Sequence, residues 1–192
     1  SLLLSGNNTF SGGVTATAGT LIVGNANALG TAAFVLNGGS LQSDAARTVT
    51  NNYSLTAASS IGGANDLTLN GTGNLNANAL TINNTAQTIT LGGVISGTGS
   101  IVQNGIGGSL VLSGNNTFSG GVMATAGTLI VGNANALGTA AFVLNGGSLQ
   151  SNAGLTLANN YSLTAGSFIG GINNLTLNGA GNLNANVLTI NN

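Results

Sequence analysis

The sequence predicts an all-β chain wound as a right-handed parallel β-helix, a β-solenoid. Three observations carry that prediction. The chain repeats itself at an offset of 108 residues; short stretches inside each repeat alternate apolar and polar residues; and clusters of Gly and Asn separate those stretches. A fixed period of this kind marks solenoids and related arrays, so it takes precedence over local patterns.

The repeat is plain in the letters. Ser1-Leu-Leu-Leu-Ser-Gly-Asn-Asn-Thr-Phe-Ser-Gly-Gly-Val14 returns as Ser109-Leu-Val-Leu-Ser-Gly-Asn-Asn-Thr-Phe-Ser-Gly-Gly-Val122. Carried to the end, residues 1–84 align with 109–192 and 71 of the 84 pairs are identical. The chain therefore reads as repeat unit 1 at 1–108 and an incomplete unit 2 at 109–192. Together they are expected to form one continuous solenoid, a window onto a longer tandem array. Thr85 to Gly108 occurs once.

The strands follow in order. Leu2-Leu3-Leu4, Leu21-Ile22-Val23, Leu67-Thr68-Leu69, Leu80-Thr81-Ile82, Ile89-Thr90-Leu91 and Ile101-Val102 serve unit 1. Leu110-Val111-Leu112, Leu129-Ile130-Val131, Phe142-Val143-Leu144, Leu155-Thr156-Leu157, Leu175-Thr176-Leu177 and Leu188-Thr189-Ile190 serve unit 2. A period of two marks a half-buried strand, with alternate side chains facing the core and the outside. Turn clusters such as Ser113-Gly-Asn-Asn116, Ser119-Gly-Gly121 and Asn145-Gly-Gly147 lie between them, because Gly and Asn tolerate the positive φ of tight corners. Leading strands recur after about 19 to 22 residues, a circuit of three strands and three corners. About five circuits fill a unit, which predicts roughly nine rungs, a rod about 43 Å long and an axial repeat near 25 Å at about 4.8 Å per rung.

Composition narrows function from the other side. One Arg and two Asp are the only charged residues, and there is no His, Cys or Pro. Acid–base catalysis lacks its usual groups, zinc lacks Cys and His, and calcium lacks converging carboxylates. Nucleic acid is excluded for want of Lys and Arg. No cofactor or metal is expected, and the chain is not expected to be an enzyme. No apolar run reaches the length of about 18 residues that a membrane-spanning helix needs. Without Cys there is no disulfide framework to read. The chain starts at Ser1 with no signal-like segment, which reads as a processed form or a fragment.

Where the middle residue of a strand is also apolar, an outward apolar position results. Leu3 and Ile22, with Val111 and Ile130 as their counterparts, are candidates for a lateral contact, or for cover by another part of the chain. The Asn doublets Asn7-Asn8, Asn51-Asn52 and Asn83-Asn84 and their counterparts either stack as amide ladders or, more simply, sit at left-handed corners. Asn7, Asn52, Asn83, Asn115 and Asn160 fit the Asn-x-Ser/Thr acceptor pattern; so polar a chain produces such matches by chance, and glycosylation is not the expectation from sequence alone. Asp44 and Arg47, replaced together by Asn152 and Leu155, read as a surface ion pair.

Gly108-Ser-Leu-Val-Leu-Ser-Gly-Asn-Asn-Thr-Phe-Ser-Gly-Gly-Val-Met-Ala-Thr-Ala-Gly-Thr-Leu-Ile-Val131 resembles the passenger-associated repeat of bacterial autotransporters, and Leu2 to Val23 matches as well. Its corner motif is Asn8, Thr9, Phe10, Gly12 and Gly13, with Asn116, Thr117, Phe118, Gly120 and Gly121 in the second copy. Val14 and Val122 stand where the family commonly has Thr, and Ala16 and Ala124 where a larger aliphatic is usual. The resemblance implies a β-helical stalk at the cell surface of a Gram-negative bacterium or secreted from it, exported through a C-terminal β-barrel. It brings no catalytic residues.

Two classes of function follow. The first is a structural fibre, filament or adhesin stalk that self-associates laterally or end to end and touches a host or neighbouring cell surface, with no membrane insertion in this segment. Scarce charge leaves little to repel a second rod. The second is a ligand- or ice-binding face built on outward Thr68, Thr81, Thr88 and Thr90; Thr-x-Thr appears only at Thr15-Ala-Thr17, Thr48-Val-Thr50 and Thr88-Ile-Thr90. A carbohydrate-active β-helix needs paired carboxylates that this chain lacks, although an enzyme elsewhere in a longer protein fits the same stalk.

Overall fold

The computed structural model describes residues 1–191; Asn192, the second member of the last Asn doublet, lies outside them. Among the described residues twenty-five short strands follow one another, and every strand pairing is parallel. Strands this short cannot bury a face alone, so each is stabilised by the strand one coil below and one coil above.

The chain visits three faces in turn. The first carries a ladder of ten strands, Leu2–Leu4, Thr20–Val23, Ser40–Ser43, Ser59–Gly63, Leu80–Asn84, Ile101–Gln103, Val122–Ala124, Phe142–Asn145, Tyr161–Ala165 and Gly181–Asn182. The second carries eight, from Arg47–Val49 through Thr88–Leu91, Ser109–Leu112 and Thr128–Val131 to Leu188–Asn191. The third carries five, from Val14–Ala16 to Ile95–Ser96, and the pair Leu155–Leu157 and Leu175–Leu177 holds the same place in later coils. Between those two groups the third side is irregular yet stays in step, with the Thr117 N–H donating to Ile95 O at 2.9 Å and the Thr139 N–H to Phe118 O at 3.0 Å.

The ten strands of the first face open ten coils, one more than expected, which makes a rod of about 48 Å. The step between neighbouring coils on this face is 19 to 21 residues, as in Leu2↔Leu21, Leu21↔Leu41 and Ile61↔Ile82.

The unit keeps to the expectation of about five rungs but overruns five by one side, with consequences for the surface. Leu2–Leu4 opens the first coil on the first face, whereas its counterpart Ser109–Leu112 lies on the second face of the coil opened by Ile101–Gln103. The unit thus spans five coils and one further side. Every element of unit 2 sits one face round from its counterpart: Thr20–Val23 is on the first face but Thr128–Val131 on the second, and Phe34–Asn37 is on the third but Phe142–Asn145 on the first. Coils shorter than a fifth of the unit leave residues over, and these start the next side.

Alternation places the core as predicted. Leu21, Leu41, Ile61 and Ile82 form a buried column on the first face, and Val49, Leu69, Leu91, Leu112 and Val131 one on the second. Burying each such side chain contributes about 1.5–3 kcal/mol. On the third face Phe34 stacks on Tyr53 with ring centroids 5.6 Å apart, and on the first face Phe142 stacks on Tyr161, also at 5.6 Å. Burial pushes the Tyr53 phenol well above its ordinary pKa. The coil above places Gly73 over the Tyr53 ring, where an added Cβ would lie 2.4 Å from the nearest ring atom.

Candidate interaction surface and the corner motif

The corner motif is best seen in its second copy, which has a coil on either side. Asn116 is 2% exposed and ties three coils together: its Oδ1 accepts from the Ile95 N–H below at 2.8 Å, and its Nδ2 donates to Ala136 O above at 2.7 Å. Two residues on, alternation turns Phe118 fully inward, while Thr117 between them is exposed. Gly121 has φ +79 and Gly13 φ +77, a region L side chains rarely adopt, and this turns the chain out of the corner into Val122–Ala124 and Val14–Ala16. Gly120 is required by proximity instead, since a Cβ there would sit 2.4 Å from Gly99 O.

The first copy has the same sequence with no coil beneath it among the described residues. Asn8 keeps the upper bond, Nδ2 to Ala28 O at 2.8 Å, Phe10 is 40% exposed, and a Cβ on Gly12 meets nothing within 4 Å. Thr9 is exposed, like Thr117.

The proposed lateral residues do point outward, in two separate pairs. Leu3 stacks on Ile22 on the first face, and Val111 on Ile130 on the second. Because the units are offset by one face, they form no single stripe along the rod. The structure assembles another apolar run that the sequence reading missed: Val102, Met123 and Val143 stack outward on three successive coils of the first face. Val111 and Ile130 flank the two lower coils on the second face. Ile106 is 81% exposed at the corner between Val102 and Val111. Met123 replaces Thr15, so unit 1 has no equivalent run.

Two polar clusters complete the inventory. Gln103 interrupts the aliphatic column of the first face, is fully buried, and donates through Nε2 to Gly108 O at 3.2 Å and Asn84 Oδ1 at 3.3 Å. Asn84, also fully buried, donates to Ser109 O at 2.8 Å and to Gln87 O. The sequence reading stopped at Ile101-Val102 and missed Gln103, which continuing the alternation by one residue puts inward. On the surface, Arg47 Nε donates to Asp44 Oδ1 at 2.8 Å, which holds the Asp44 carboxyl below its ordinary pKa and the guanidinium above its own. Among the described residues no three Asp, Glu, His or Cys side chains converge, and no helix is long and apolar enough to cross a membrane.

The Asn doublets are not left-handed corners. Among the described residues the positive-φ residues other than Gly are Asn76, Asn184 and Ala185, none of them in a doublet read as a corner. The doublets instead bond to neighbouring coils, partly as amide ladders, as where Asn27 Nδ2 donates to Asn7 Oδ1 at 2.8 Å and Asn135 Nδ2 to Asn115 Oδ1 at 2.8 Å. Outward threonines form one short file on the second face, Thr48, Thr68 and Thr90, which ends at Val111.

A family model described as the passenger-associated-transport repeat matches residues 1–23 and 107–131, the two stretches that contain the corner motif. The Adhesin BmaC autotransporter of Brucella suis biovar 1 (strain 1330) is 40% identical over 105 residues, a match covering 48% of this chain. The chain spans about 3% of that relative's length. No solved structure matches. These matches, on a parallel β-solenoid, bear out the resemblance to autotransporter passenger domains.

Proposed function

We propose that this chain is a length of an extracellular, adhesin-like stalk of a Gram-negative bacterium, surface-displayed or secreted, which associates with copies of itself through its outward apolar residues. One observation carries the reading: the two passenger-associated repeats lie in a single unbroken ladder of ten coils in which nearly every inward position packs against its neighbours and almost nothing is charged. Such a stack suits length and display, since each coil depends chiefly on the next. The scarcity of titrating groups in the sequence, two Asp, one Arg and two Tyr, supports a role as scaffold rather than catalyst. The name of the Brucella relative, an adhesin, supports display at a surface where cells meet.

Sedimentation velocity across a concentration series tests the self-association. The expected result is a shift to larger species with concentration, reduced in a variant carrying Met123→Thr and Ile130→Thr, both at outward positions. A chain that stays monomeric at the highest concentration removes this part of the reading. The file Thr48, Thr68 and Thr90 supports the second reading, an ice- or ligand-binding face, and a thermal hysteresis measurement that finds none ends its ice-binding form.

A further inference from the structure

The Asn doublets share a division of labour that their sequence does not show. In Asn7-Asn8, Asn51-Asn52, Asn83-Asn84, Asn115-Asn116 and Asn159-Asn160, one asparagine uses its side-chain Nδ2 to pin the coil, and the other only accepts. Asn8, Asn84 and Asn116 pin from the second place, donating to Ala28 O, Ser109 O and Ala136 O. Asn51 and Asn159 pin from the first place, each reaching two carbonyls of the coil below: Gly30 and Ala32 for Asn51, Gly138 and Ala140 for Asn159.

The Asn-x-Ser/Thr pattern falls on the other member every time, although its place in the doublet changes. Asn7, Asn83 and Asn115 come first in theirs; Asn52 and Asn160 come second. All five are exposed. Each is held through Oδ1 alone: Asn7 by Asn27, Asn83 by Asn104, Asn115 by Asn135, Asn52 by the Thr72 N–H and Asn160 by the Ala180 N–H. Their Nδ2 groups donate to nothing among the described residues. Asn70 and Asn174 also fit the pattern, are exposed, and leave Nδ2 equally unengaged.

We propose that Asn7, Asn52, Asn83, Asn115 and Asn160 are N-glycosylation sites, each taking a sugar from a nucleotide-activated donor. A bond forms between Nδ2 and the anomeric carbon of the sugar. The bond from that carbon to the donor's phosphate oxygen breaks, the nucleoside diphosphate leaves with the electron pair, and the amide gives up one proton to the transferase. In the folded rod the carboxamide oxygen keeps its bond to the coil above, while the modified nitrogen loses none. The same modification of Asn51 or Asn116 would break bonds that tie coils together. The side-chain or backbone partners directly above the five are Asn27, Thr72, Asn104, Asn135 and Ala180, none of them an acceptor, so two sugars never stack on adjacent rungs of one ladder.

Mass spectrometry of the chain isolated from the cells that make it tests the proposal, by intact mass and by peptide mapping. The expected result is a mass above that of the sequence by whole sugar residues, located on the acceptor asparagines and absent from Asn51, Asn84 and Asn116. Thr117→Ala and Ser162→Ala should each abolish modification at Asn115 and Asn160 respectively, with an unchanged circular dichroism spectrum, because the pinning asparagines remain. An intact mass equal to that of the sequence overturns the proposal. So does an increment that maps to Ser or Thr hydroxyls and survives in both variants.

Discussion

The two copies of the corner motif differ in their surroundings more than in their sequence. From Ser5 to Val14 and from Ser113 to Val122 the letters are identical, yet Phe118 is fully buried and Phe10 is 40% exposed. Asn116 bonds downward and upward, and Asn8 bonds only upward. Among the described residues the second copy rests on a coil drawn from Thr85 to Gly108, and the first copy has no coil beneath it. The motif is therefore half of an interface, and its stability lies in what stacks against it.

That comparison can be broken most directly at the aromatic ring. Phe118→Ala should cost about 3–5 kcal/mol and Phe10→Ala less than half of that, measured as the shift in urea unfolding midpoint. Placing a further copy of Thr85–Gly108 ahead of Ser1 should make Phe10→Ala as costly as Phe118→Ala; if it stays cheap, cover by the neighbouring coil is not the cause. Next in size come the close approaches. Gly120→Ala drives a Cβ to 2.4 Å from Gly99 O and should destabilise by about 1–3 kcal/mol, while Gly12→Ala should be near neutral.

Asn116→Ala leaves the Ile95 N–H and the Ala136 carbonyl without their partner, at a cost of about 1–3 kcal/mol, and Asn8→Ala, which frees one group only, should cost visibly less. Equal effects would show that the lower bond adds nothing. The smallest effect belongs to a pair that unit 2 discards. Since Arg47 lowers the Asp44 pKa in the folded chain, the pair stabilises above the ordinary Asp range and its contribution is lost as pH falls through the folded value. Replacing Asp44 and Arg47 by the Asn and Leu of unit 2 should leave the midpoint at neutral pH almost unchanged and remove part of the drift on acidification.

The strands read from the sequence and their inward residues were legible because period two is written in them, and Leu67-Thr68-Leu69 and Leu80-Thr81-Ile82 face as read; strands such as Ser59–Gly63 and Gly73–Asn74, which carry little apolar alternation, were not. The inward Gln103 was legible by carrying the alternation of Ile101-Val102 one residue further. The facing of one unit relative to the next was not. It depends on coils of 19 to 21 residues accumulating over a unit of 108, and the spacing between leading strands does not show which side a strand joins. Met123 could be recognised as part of an apolar run only once Val102 and Val143 were found above and below it. The Asn doublets were misread as corners because their partners lie a full coil away: Asn116 and Ala136 are 20 residues apart and meet only when the chain is wound.

A unit that ends one side late turns an array of such units into a screw. Three units bring the pattern back to the side on which it began, after sixteen coils or about 77 Å, in place of the 25 Å expected from five coils. A flat partner lying along the rod meets a given patch once per turn of that screw. Neighbours approaching from three directions each meet it equally often, at staggered heights. Near-identical units therefore give such an array no preferred side, so self-association of the kind proposed would build a bundle rather than a ribbon.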